Sequence, residues 1–158
     1  MITVAVLTIS DSCSQGNRQD VSGPTVGETL PKETFIVTAR EIVPDDREAI
    51  AAALMRWCQD SRIDLVLTTG GTGLGPRDVT PEATQAVCER LVPGLGEVIR
   101  VEGWKKTKKA ALSRGVPGIC QGTLIVNLPG SPKGVRESLE TILDILPHAV
   151  EMIRGGGH

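Results

Sequence analysis

Three aspartates, Asp11, Asp45 and Asp78, and two glycine-bearing turns are the residues of this sequence best suited to do chemistry. Each aspartate falls where an apolar run has just ended, and in a parallel sheet such positions share one rim. Carboxylate oxygens gathered around phosphate-binding turns suit Mg2+ and point to metal-assisted phosphoryl or nucleotidyl transfer. A single Asp at such a position also serves as an N-cap or turn former, so the neighbouring turns must carry the distinction.

The first turn reads Thr69-Gly70-Gly71-Thr72-Gly73-Leu74-Gly75-Pro76-Arg77-Asp78. It follows the short apolar run 63–67, which reads as a buried strand, and leads into Thr80-Pro81-Glu82, a helix-opening sequence. Gly70, Gly71 and Gly73 lack a Cβ, so the backbone can take positive φ and an anion can approach its N–H groups. Such turns also arise for purely geometric reasons, and neither GxxxxGK[ST] nor GxGxxG is present. A second turn raises the weight of the first. Pro129-Gly130-Ser131-Pro132-Lys133-Gly134 follows the β-forming run 122–128 and supplies small residues, a hydroxyl and a lysine before a helical pattern resumes at Val135. In an open parallel sheet both turns leave the carboxyl edge of their strands, where ligands bind.

Other chemistries lack support. His158 is terminal and His148 lies in the last helical pattern, and no GxSxG elbow is present for a serine nucleophile. Cys13, Cys58, Cys88 and Cys120 form no CxxC pair, which argues against zinc and for reduced thiols in a cytoplasmic protein. Phe35, Trp57 and Trp104 are the sole aromatics and the formal net charge is −2, so nucleic-acid binding by stacking or by backbone neutralisation is not expected. No signal peptide or transmembrane span is read. The one basic run, Lys105-Lys106-Thr107-Lys108-Lys109, is expected to be a solvated helix end, the alternative being attraction of an anionic ligand or partner.

The elements that must position these residues alternate. Strands are expected at 2–9, 35–40 (with 42–43 running on), 63–67 and 122–128. Helices are expected at 24–30, from Asp45 and Asp46 through Trp57, from 80 to about 91, from 95 to 109, and around Leu139, Ile142, Leu143 and Leu146. The segment 10–22 reads as polar turn, and 155–158 as a frayed tail. Helices between buried strands predict an α/β three-layer sandwich with a mostly parallel central sheet flanked by helices. At 158 residues one domain, 1–158, is the simplest organisation.

The ordered motifs Leu7-Thr8-Ile9-Ser10-Asp11, Val43-Pro44-Asp45-Asp46, Thr69-Gly70-Gly71-Thr72-Gly73 with Arg77-Asp78-Val79-Thr80-Pro81-Glu82-Ala83, Leu112-Ser113-Arg114 and Asn127-Leu128-Pro129-Gly130-Ser131-Pro132 resemble the molybdenum cofactor biosynthesis family. That family includes molybdopterin adenylyltransferase and the corresponding G domain of plant and animal cofactor-synthesis proteins. The resemblance covers nearly the whole chain. It implies a trimer that uses ATP and Mg2+ to adenylylate the terminal phosphate of molybdopterin, with pyrophosphate released. Carried over by position, Asp45 and Asp78 become the catalytic and Mg2+-binding carboxylates. Ser10, Asp11, Gly70, Gly71, Thr72, Gly73, Ser113, Arg114, Asn127, Pro129, Gly130 and Ser131 become contacts to pterin or nucleotide. Lys133, read from its place in the second turn, is a further contact, and Arg114 or Lys133 would counter pyrophosphate charge. A separate protein is expected to insert molybdate. The resemblance leaves a non-catalytic molybdopterin-binding or scaffold member as the alternative, against which the retained Asp45 and Asp78 argue. Gly103, Trp104 and the lysine run match no motif of the family.

Overall fold

The computed structural model describes residues 1–157; His158 lies outside the described residues. Four strands, β1 (Ile2–Ile9), β2 (Phe35–Val43), β3 (Leu65–Thr69) and β6 (Thr123–Leu128), pair in parallel. Two short strands, β4 (Arg90–Leu91) and β5 (Gly118–Cys120), extend the sheet antiparallel, giving the order β2-β1-β3-β6-β5-β4. The helices are α1 (Asp11–Ser14), α2 (Ser22–Thr29), α3 (Arg47–Cys58), α4 (Thr80–Val87), α5 (Pro93–Trp104), α6 (Pro132–Ile142) and α7 (Leu146–Ile153), with a 3-10 turn at Lys108–Leu112.

Side-chain alternation along the strands divides the core between the two faces of the sheet. Val4, Val6, Leu65, Leu67, Leu124, Val126 and Leu128 pack with Val26 of α2, Val135 and Leu139 of α6, and Leu146 of α7. Ala5, Leu7, Ile9, Val66 and Ile125 pack on the other side with Ile50, Leu54 and Trp57 of α3 and Ala83 of α4. The expected three-layer sandwich is thus the observed one. Both faces of the central strands are covered, which is why they read as largely apolar runs.

Several boundaries differ from the sequence reading. β3 starts and ends two residues later than expected, because Thr68 and Thr69 are fully buried and belong to the ladder. The helix expected to reach residue 91 ends at Val87, since Cys88 turns extended and Arg90–Leu91 pairs with β5. The expected final helix is two helices, α6 and α7. The segment 10–22 contains the short helix α1, capped by Ser10 Oγ on the Cys13 N–H. No described helix is long and apolar enough to cross a membrane.

Candidate active site

β3 ends at Thr69 and the chain turns at once, with φ of +100° at Gly70 and +67° at Gly71, values that a Cβ opposes. Space is closed as well: a Cβ on Gly70 would lie 2.3 Å from the Ile9 carbonyl oxygen. One on Gly71 would lie 2.3 Å from Thr80 Oγ1 and 3.2 Å from Asp45 Oδ1. Thr80 ties the turn to α4, its hydroxyl donating to the Gly70 carbonyl at 2.9 Å and its N–H to the Gly71 carbonyl at 3.1 Å. The second turn is fixed directly on the first. Thr69 Oγ1 donates to the Pro129 carbonyl at 2.6 Å, and the Gly70 N–H to the Leu128 carbonyl at 3.2 Å. A Cβ on Gly130 would sit 3.3 Å from Gly70 Cα. The two turns therefore touch, and the Gly70 N–H is engaged inside the protein.

The carboxylates are arranged around this contact. Asp11 and Asp45 clasp each other: the Asp11 N–H donates to Asp45 Oδ2 at 2.9 Å and the Asp45 N–H to Asp11 Oδ1 at 3.0 Å. Asp11 also accepts two bonds from Arg77, from Nε and Nη2, each at 3.0 Å. Asp78 Oδ2 accepts the Gly75 N–H at 2.9 Å, and a Cβ on Gly73 or Gly75 would come within 2.9 Å of that oxygen. Burial pushes the Asp45 carboxyl above the ordinary aspartate range, helped by the negative charges of Asp11 and Asp78 and opposed by the Asp11 N–H. The Arg77 guanidinium holds Asp11 below that range. Arg77 offsets part of this charge, and the remaining negative field at a half-buried carboxylate favours a cation.

Asp45 and Asp78 line one cleft of about 330 Å3 with Ser10, Gly70, Gly71 and Gly130. A second hollow of about 230 Å3 lies beyond the Pro129 turn and is lined by Ser113, Pro129 and Ser131, and by Lys106 and Lys109 of the basic run. The sequence-derived site residues are thus divided between two neighbouring hollows. Others stand behind them. Arg114 donates to the carbonyls of Gly73 at 2.8 Å and Asp78 at 2.7 Å and pairs with Glu82 at 2.9 Å, so its guanidinium braces the glycine loop. The buried Asn127 donates to Thr68 Oγ1 and Thr84 Oγ1 and accepts the Val116 N–H, each at 3.0 Å. Thr72 is buried, its carbonyl accepting the Arg114 N–H at 2.9 Å, and Lys133 is exposed and lines neither hollow. The sequence reading missed Arg18, Gln19 and Asp20, which complete the wall of the cleft. A polar loop between two elements gives no periodic signal that could have singled them out.

The family model described as "Probable molybdopterin binding domain" matches residues 5–148. The chain belongs to this molybdopterin-binding family. As a member it is 49% identical over 154 residues to the molybdenum cofactor synthesis protein cinnamon of Drosophila melanogaster, a match covering 96% of this chain and 26% of that protein. It is 42% identical over 160 residues to the molybdopterin adenylyltransferase of Helicobacter pylori, covering 98% of this chain and 89% of that enzyme. The crystal structure of the molybdopterin biosynthesis enzyme MoaB from Thermus thermophilus matches with a TM-score of 0.93 and 51% identity over 98% of both chains. The family resemblance and the α/β fold expected from the alternating strands and helices are both borne out. Relative to cinnamon this family member spans about a quarter of the length; relative to the Helicobacter enzyme, nearly all of it.

Proposed function

We propose that this chain acts as a molybdopterin adenylyltransferase, transferring AMP from ATP to the terminal phosphate of molybdopterin and releasing pyrophosphate. The observation that supports the reading best is the meeting of Asp45 and Asp78 with both glycine turns on one cleft. The 42% identity to an adenylyltransferase of nearly the same extent supports it independently.

The attacking group is a phosphate oxygen, already anionic at neutral pH, so the protein need supply neither a covalent intermediate nor a strong base. Its tasks are alignment and charge management. The acidic cleft takes the nucleotide. The neighbouring hollow, with Ser113, Ser131, Lys106 and Lys109, takes the phosphate end of molybdopterin, and the turn at Pro129 and Gly130 separates the two. Asp45 and Asp78 fit Mg2+, which binds hard oxygens and commonly uses one or two carboxylates together with substrate phosphates. Bound there, the ion would neutralise charge on the triphosphate. Asp11 keeps Asp45 in place through the reciprocal backbone bonds, and Arg114 keeps the loop bearing Asp78 closed against Glu82.

We infer that the chain assembles as a homotrimer, and we place the reaction in the cytoplasm, where the four free thiols stay reduced. The adenylylated pterin passes to a separate molybdate-inserting protein. Incubation of the purified protein with molybdopterin, ATP and Mg2+ tests the reading: one pyrophosphate is expected per adenylylated pterin. Binding of both substrates without pyrophosphate would identify a non-catalytic member instead.

A further inference from the structure

The cleft presents Asp20, Asp45 and Asp78 to an incoming triphosphate, and most nearby cations are already engaged. Arg77 is bound to Asp11 through two nitrogens, and Arg114 to Glu82 and two carbonyls. Arg18 differs. It is exposed and lines the cleft. Among the described residues no carboxylate forms an ion pair with it. The neighbouring Asp20 is occupied, accepting from Thr8 Oγ1 at 2.7 Å and from the Gly23 N–H at 3.0 Å. These bonds anchor the loop on one side of Arg18, and the Asn17 N–H donating to the Ser12 carbonyl at 2.9 Å anchors it on the other. Arg18 thus stands on an anchored loop that lines the acidic cleft, its guanidinium free of carboxylate partners among the described residues.

We infer that Arg18 holds the β- and γ-phosphates of ATP and then the departing pyrophosphate. The inference rests on the adenylyl-transfer reading. In that reaction an oxygen of the pterin phosphate bonds to the α-phosphorus. The bond from the α-phosphorus to the α,β-bridging oxygen breaks, and its electron pair leaves on pyrophosphate. A guanidinium offers that group two parallel N–H bonds, which a lysine ammonium cannot reproduce.

Arg18→Ala and Arg18→Lys test the assignment. For the alanine variant the KM for ATP rises about tenfold and product inhibition by pyrophosphate weakens by a similar factor, while molybdopterin affinity is unchanged. The lysine variant recovers part of both. An unchanged KM for ATP together with unchanged pyrophosphate inhibition in Arg18→Ala overturns the assignment. Calorimetric titration with pyrophosphate and Mg2+ needs no turnover and separates this inference from its parent. If the wild-type chain makes no pyrophosphate, the transferase reading fails by itself. Weaker pyrophosphate binding by Arg18→Ala then still supports the site, and equal binding, or none by the wild type, removes it.

Discussion

Gly70→Ala perturbs the point where both turns and the end of β1 meet. The backbone there has φ of +100°, and forcing an L residue into that region costs about 1–2 kcal/mol. The new Cβ would also stand 2.3 Å from the Ile9 carbonyl oxygen and must move beyond 3.0 Å, the limit below which such contacts essentially never occur. Ile9 is buried and registered against Val43 of β2, so the shift strains a packed strand at a cost of about 1–3 kcal/mol. The sum is about 2–5 kcal/mol, or roughly 5–15 °C in Tm for a chain of this size. Gly122→Ala is the matched control, because Gly122 has φ of +86° with no neighbour within 4 Å of its Cβ position; it loses only the conformational part, about 1–2 kcal/mol. Thermal unfolding followed by circular dichroism measures both. Turnover below both melting temperatures falls further in Gly70→Ala, since Ile9 leads directly into Ser10 and the Asp11–Asp45 clasp. Equal Tm shifts in the two variants, with activity retained in Gly70→Ala, would refute the steric argument.

Arg114→Ala lowers turnover at least about tenfold by loosening the loop that carries Asp78, and amide hydrogen exchange across residues 73–78 accelerates; Glu82→Gln gives a weaker form of both. Lost ATP binding with unchanged exchange in that loop would instead make Arg114 a direct ligand. In the metal-free protein the Asp45 carboxyl titrates above the ordinary aspartate value of about 3.9, as carbon-13 NMR of the side-chain carboxyl can determine; a midpoint at or below that value contradicts the burial argument. The sign for stability follows: Asp45 opposes folding above its raised midpoint and the penalty disappears as pH falls through it. Asp11, held low by Arg77, stabilises above the ordinary value, and that contribution is lost as pH falls through its lowered midpoint.

The parallel core of the sheet was legible because its strands are buried on both faces and carry little else than apolar residues. The reading stopped short where polar side chains are satisfied inside. Thr68 and Thr69 are hidden in β3 because one hydroxyl accepts from Asn127 and the other donates to Pro129. β5 was missed because three residues give no measurable alternation; its real mark is the turn at Gln121 and Gly122, where two consecutive positive φ angles close a two-residue hairpin. Asp45, Asp78, Gly70, Gly71 and Gly130, which line the cleft, stand out in the sequence by residue type and by their place in loops that follow strands. The division into two hollows does not, because it depends on which wall of the Pro129 turn each side chain faces. Arg114 and Asn127 read as ligand contacts in the motif, and in the structure both also make several bonds inside the protein. Whether such a polar residue serves the ligand or the loop is decided by its neighbours in space, which spacing along the chain does not contain.

Pyrophosphate release by the wild-type chain and by Asp78→Asn, with molybdopterin, ATP and Mg2+ saturating, tests the central claim most directly. Wild-type release matched to adenylylated pterin is predicted, with the variant slowed about a hundredfold and its molybdopterin affinity within about twofold of wild type. Equal rates in the two proteins, or no release by the wild type, would contradict the proposal that this cleft transfers AMP.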